Sequence, residues 1–221
     1  MNLSKDFQHK ILNGTRIAYS GVKGAFAEIA VKRIFPDGNP VAFPDFKSAY
    51  KAVEAGECEC AVLPIENSTA GMVSEIYDLL VEFENYIVGE QIITIEHCLL
   101  ASEGTKIEDI NTVYSHPQSF MQSSEYLREA GWKQISMKNN AFAAQKVANE
   151  KNMTQAAIAS EYAAKVYGLQ VLKKGINDLK DNSTRFIIVT NQKVFLPEAN
   201  KIGLCFEINH ESGALYHALS H

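Results

Sequence analysis

Short apolar, β-branched runs alternate with helix-patterned segments along most of the chain, and this restricts the fold more than any other feature. RIAYS (16–20) is followed by glycines and then AFAEIAVKRIF; VAF (41–43) precedes a helical segment over 46–55; CECAVLPI (58–65) ends near a proline. The unit strand, turn, helix repeats again as TVYS (112–115), a helix expected from Pro117 to Ala130, WKQISM (132–137), a helix over 141–150, AAIA (156–159), a helix over 161–167 and LQVL (169–172). Such alternation predicts an α/β protein with a parallel sheet. A further helix is expected over 72–83. The long stretch 86–101, nearly uninterrupted by breakers, reads as one strand crossing between two lobes, and RFIIVT (185–190) as the strand that returns to the first. Two lobes joined by two crossings enclose a cleft, and open α/β sheets bind ligands beyond the carboxyl ends of their strands.

The remaining composition narrows the partners. The 221 residues are 46% hydrophobic and 21% charged, an ordinary globular balance. No apolar run reaches the roughly 20 residues of a membrane span, and the start MNLSKDFQHK has no signal-peptide core, so a cytoplasmic location is expected. The four cysteines read as buried thiols in that compartment. A net charge of −5 with scattered lysines and arginines argues against nucleic acid. His217 and His221 are four apart, a spacing that fits one helix face, with His210 upstream, but by ligand-count rules this terminal group does not make a metal site, so no metal is assigned.

Polar clusters sit where the expected strands end. Gly21-Val-Lys-Gly24 lies between strand and helix, where glycines let backbone N–H groups approach an anion, or simply make a tight connection. Pro64-Ile-Glu-Asn-Ser-Thr-Ala-Gly71 offers Glu66 as a general acid if burial raises its pKa, or a helix cap from Asn67, Ser68 or Thr69. Ser115-His-Pro-Gln118 puts proline at the first turn of a helix, with Ser115 or His116 as cap. Asn182-Ser-Thr-Arg-Phe186 supplies a cation beside two hydroxyls.

Taken in order and spacing, YSGVKGAFAEIA (19–30), VLPIENSTAG (62–71), YSHPQSF (114–120) and NSTRFIIV (182–189) resemble the four signatures of the prephenate dehydratase family. Val22 stands where many members have proline, and Ala27 where serine is frequent. The resemblance implies a two-lobed fold like type II periplasmic binding proteins, no cofactor, prephenate in the cleft, and a homodimer or homotetramer. It implies a catalytic domain over 16–195, with lobe 1 at about 16–92 and 183–195 and lobe 2 at about 93–182, after an N-terminal extension over 1–15. The reaction implied is decarboxylative dehydration of prephenate to phenylpyruvate, water and CO2 in L-phenylalanine biosynthesis. Arogenate dehydration, or a non-catalytic sensor of small molecules on the same fold, are the competing readings.

By the same resemblance Thr184 is essential and contacts the departing hydroxyl, with Glu66 or His116 as proton source. Gly24, Asn67, Ser68, Gly71, Ser115, Gln118 and Arg185 are expected around the substrate carboxylates, and Phe186 against the ring. Residues 200–221 resemble the opening of an ACT regulatory domain, a βα stub in which Gly213, Ala214 and Leu215 belong to a partial L-phenylalanine site. A stub of that size cannot bury its own apolar face, so weak feedback inhibition of the chain as given is expected.

Overall fold

The computed structural model describes residues 15–194, 201–203, 206 and 208–220. The first lobe runs β1 (Arg16–Ser20), α1 (Phe26–Ile34), β2 (Asn39–Phe43), α2 (Phe46–Glu54), β3 (Cys60–Asn67), the two-residue β4 (Gly71–Met72), α3 (Ser74–Glu82) and β5 (Tyr86–Thr94). The second runs β6 (Cys98–Ala101), β7 (Thr112–Ser115), α4 (Pro117–Met121), α5 (Ser124–Ala130), β8 (Lys133–Ser136), α6 (Asn140–Glu150), β9 (Gln155–Ala159), α7 (Glu161–Tyr167) and β10 (Gln170–Lys173). The chain then returns to the first sheet as β11 (Ser183–Thr190), and α8 (Ala214–Leu219) lies near the end. The expected two-lobed α/β architecture is what forms. Among the described residues no helix is long and apolar enough to cross a membrane.

Burial on both faces explains the unbroken apolar runs. In β3, Cys60 and Val62 face one core while Ala61, Leu63 and Ile65 face the other. In β9, Ala157 and Ala159 pack one way and Ala156 and Ile158 the other. A strand covered by helices on both sides has no solvent face to mark with polar residues. Helix starts are fixed locally: the Asp45 carboxylate accepts from Ser48 N at 2.7 Å, and Asn139 accepts from Phe142 N at 2.8 Å.

The sheets differ from the all-parallel expectation. In the order β2-β1-β3-β11-β5 the first three strands are parallel, but β11 runs antiparallel to both β3 and β5. The second sheet, β10-β6-β9-β7-β8, has β6 alone reversed in the same way, antiparallel to both β10 and β9. The cause is connectivity: β5 leaves the first lobe at the edge facing the second, and a strand re-entering beside it must run the other way. The stretch 86–101 is correspondingly two strands in different sheets, broken at the crossing 95–97. Ile95 N donates to Asn182 O at 2.8 Å, and Asn177 accepts from His97 N at 2.7 Å while donating to Ile95 O at 3.0 Å. These bonds stitch the two crossings together.

Two further expectations change. The helix over 117–130 is two helices, because Asp178 accepts from Ser124 N at 2.9 Å and Glu125 N at 3.1 Å and so caps a new start. The strand of the expected βα stub, IGLCFEI (202–208), lies partly outside the described residues, and Ile202, Gly203, Phe206 and Ile208 are in no strand. Gly213 (φ 86) precedes α8, and Leu215, Tyr216 and Leu219 on it are exposed. Most of the extension over 1–15 lies outside the described residues.

The lobes meet at the loop before α1. Buried Glu28 accepts from Gly24 N at 2.6 Å and from the Tyr162 hydroxyl of α7 at 2.9 Å, and the Tyr167 hydroxyl donates to Lys23 O at 2.6 Å. A Cβ on Gly24, at φ +90, would lie 3.1 Å from the Tyr167 ring and 3.4 Å from Ala163. Gly24→Val therefore combines left-handed backbone strain with a clash between lobes. It is expected to cost about 2 kcal/mol and lower Tm by roughly 4–8 °C, measured by thermal denaturation.

Candidate functional site

A cleft of about 500 Å³ opens between the lobes, lined by Ser20, Phe26, Pro64, Asn67, Thr184 and Phe186 from the first and His97, His116, Gln118, Gln122, Lys138 and Asn140 from the second. Both sheets present strand carboxyl ends to it. The helices α1, α2 and α6 begin at its wall, at Ala25 to Ala27, Asp45 to Phe46 and Asn139 to Ala141. Helix α1 has no side-chain cap, so its first-turn N–H groups are free of one. Converging helix N-termini make a positive field for an anion in a chain whose net charge is negative.

Thr184 and Asn67 are joined in the floor. The Asn67 carbonyl oxygen accepts from Thr69 N at 3.0 Å and Ala70 N at 2.9 Å; backbone N–H groups can only donate, so the amide orientation is fixed. Its nitrogen then donates to Thr184 Oγ1 at 2.9 Å, to Asn182 Oδ1 at 2.9 Å and to Ser183 O at 3.0 Å. Because the Thr184 oxygen is an acceptor in that bond, its own proton is left to donate elsewhere. Asn67 caps no helix and has no free amide atom for a carboxylate; it orients Thr184.

Gln122 extends the network across the cleft. It donates to Thr69 Oγ1 and, at 3.4 Å, to Asn67 Oδ1, while its oxygen meets His97 Nε2 at 2.8 Å. This leaves buried His97 in the Nε2–H form with Nδ1 unpartnered among the described residues. His116 caps α4 by accepting from Gln118 N at 3.1 Å through Nδ1, which requires a neutral ring and leaves Nε2–H as a donor. Burial holds both histidines below the ordinary value. His116 is therefore a hydrogen-bond donor at neutral pH and no charged acid.

Other sequence-derived candidates are placed elsewhere. On β11, Thr184 and Phe186 face the cleft, so Arg185 between them faces out, where it pairs with Glu66 at 3.3 Å and Glu90 at 3.7 Å. Glu66 sits opposite Arg185 in register and is exposed, so the burial that would have made it a general acid is missing. Ser115 is fully buried and donates to Ile158 O at 2.8 Å. Ser68 accepts from Ser183 N at 2.9 Å and fastens the turn to β11; Gly71, at φ 80, pairs with Asn67 in the β3–β4 turn. The Gly24 N–H is taken by Glu28, which removes it as an anion donor. Gln118 does line the cleft. The sequence reading missed His97, Gln122, Lys138, Asn139 and Asn140. Gln122 lies one helical turn after Gln118, a spacing that could have revealed it, and Lys138-Asn-Asn140 follows a strand end as the chosen motifs do.

Fold and cleft define a two-lobed α/β protein with a cleft walled by helix N-termini. The prephenate dehydratase family model matches residues 17–194, and the chain belongs to the prephenate dehydratase family. It is 38% identical over 222 residues to the Arogenate dehydratase/prephenate dehydratase 2, chloroplastic, of Arabidopsis thaliana, across 98% of this chain and 58% of that protein. The chain thus spans somewhat more than half the length of that curated relative. Among solved structures, GqqA, described as a novel type of quorum quenching acylase, superposes with a TM-score of 0.81 at 33% identity over 92% of this chain and 75% of its own. The prephenate dehydratase of Arthrobacter aurescens in complex with L-Phe gives 0.78 at 28% identity over 84% and 63%.

The two histidines set a pH dependence of stability. Their folded values lie below the ordinary 6.5, so the neutral forms favour folding fully above that value, and this contribution is lost as pH falls through the folded values. Tm is expected to drop between about pH 7 and about pH 5, and less steeply in His97→Gln. An unchanged slope in that variant would remove His97 from the account.

Proposed function

We propose that this chain catalyses the decarboxylative dehydration of prephenate to phenylpyruvate. The observation that carries the reading is Thr184, buried in the cleft floor, with its oxygen held by Asn67 and its proton free. Prephenate is a dianion with one hydroxyl to lose. As the ring carboxylate leaves as CO2, its electron pair enters the ring and the C–O bond to the hydroxyl breaks; a proton taken up by that oxygen makes water. Aromaticity drives the loss, so the protein's part is orientation and support of the departing oxygen. Thr184 donates to that oxygen, the first turns of α1 and α6 face the carboxylates, and Phe186 packs beside the ring. Gln118 and the Nε2–H of His116 are further donors in the wall.

Arogenate is a second substrate this cleft can take, because Asp45 and Glu75 line it and could meet an ammonium group. The domain reading extends the proposal: a catalytic unit over 16–195, a partial ACT-like segment over 200–221 that would serve an L-phenylalanine effector only within a complete ACT domain, assembly as a homodimer or homotetramer, and a cytoplasmic location. The support for an effector is the family, whose Arthrobacter member has a structure with L-Phe.

Fold alone does not fix an activity, so the deciding measurement is phenylpyruvate formation from prephenate, and phenylalanine formation from arogenate, by the purified protein. Thr184→Val should stay folded and lose about 10²-fold or more in kcat. Asn67→Asp keeps the shape but cannot donate to Thr184, so it should lower kcat by about 10²-fold with a smaller change in KM. Turnover near wild type in Thr184→Val would refute the mechanism.

A further inference from the structure

The cleft lining contains two carboxylates, Asp45 and Glu75, and one side chain with a fixed positive charge, Lys138. Lys138 follows β8 and directly precedes the Asn139 cap of α6, so it stands on the second lobe's rim. Its ammonium donates to Pro44 O across the cleft mouth at 3.1 Å. That partner is a neutral carbonyl. Among the described residues Lys138 has no carboxylate at ion-pair distance, whereas Lys32, Lys47, Lys146, Lys165, Lys174, Lys201 and Arg185 all do. The nearby Asp45 carboxylate caps α2, accepting from Ser48 N, and feels Lys138 only from beyond ion-pair distance.

We propose that Lys138 is the cation that takes one carboxylate of the substrate at the mouth of the cleft and thereby sets a preference for dianions. The inference rests on prephenate as the substrate. An ammonium group has three donors, and the Pro44 contact uses one, so an entering carboxylate can be bound without dismantling the bridge between lobes. The N-terminus of α6, beginning one residue after the Asn139 cap, adds to the same positive rim. The field that favours a second negative charge also opposes an ammonium within reach, so Lys138 favours prephenate over arogenate, which carries one positive charge more. The bridge to Pro44 offers a purely structural alternative: a tether between lobes that would affect closure and turnover instead of charge recognition.

Steady-state kinetics on the full chain separate these roles. Lys138→Gln is expected to raise KM for prephenate about tenfold with kcat within about threefold of wild type, and to raise KM for arogenate less. Lys138→Arg should restore most of the affinity. The wild-type KM should climb between about 0.05 and 0.5 M NaCl, and that dependence should flatten in Lys138→Gln. Calorimetric titration of prephenate reads the same loss as weaker binding. A wild type that turns over prephenate while Lys138→Gln keeps its KM sinks this inference and leaves the activity standing, as does a variant that loses kcat alone. A wild type that neither binds nor turns over prephenate overturns both.

Discussion

The Asn67 side chain is the constraint on which the site depends. It ends β3, accepts two backbone N–H groups of the turn that follows, and donates to three oxygens at the start of β11. An amide with all its capacity used inside a partly buried network is costly to disturb, since any group left unpaired there keeps its desolvation penalty. The position of Thr184 is therefore set by a residue 117 positions away. Gln122 joins the same oxygen of Asn67 from the other lobe, so the geometry of the floor and the approach of the lobes are coupled through one side chain.

Closure has a second anchor behind the cleft. Glu28, buried in α1, is satisfied by Gly24 N–H, the Tyr162 hydroxyl and Lys32. A buried carboxylate needs such partners, and here they come from both lobes. The glycine that looked suited to an anion is instead a close approach between the lobes, where a Cβ at φ +90 would lie 3.1 Å from the Tyr167 ring. The anion field is left to helix N-termini and Lys138.

Much of the site was legible. The motif order located Thr184, Asn67, His116, Gln118 and Phe186, all of which line the cleft. Glu66, Arg185, Ser68, Ser115, Gly24 and Gly71 were drawn from the same motifs but do not line the cleft, and make contacts within the scaffold: motif membership does not say which way a side chain faces. Period-two alternation along NSTRF would already have separated Thr184 and Phe186 from Arg185. His97 and Gln122 carried no such mark, since their roles arise only when the crossing between sheets sets them side by side.

By itself the sequence determined the strand and helix alternation, the two lobes and the family, because apolar periodicity, caps and turn residues act over a few positions and leave a local record. Tertiary structure alone decided the reversed direction of β11, the break at 95–97, the pairing of Glu66 with Arg185 and the identity of the cleft's one fixed cation among its described lining. Each of these depends on what a distant segment places against the residue, through hydrogen bonds and burial between positions up to more than a hundred apart, and no local pattern encodes that distance.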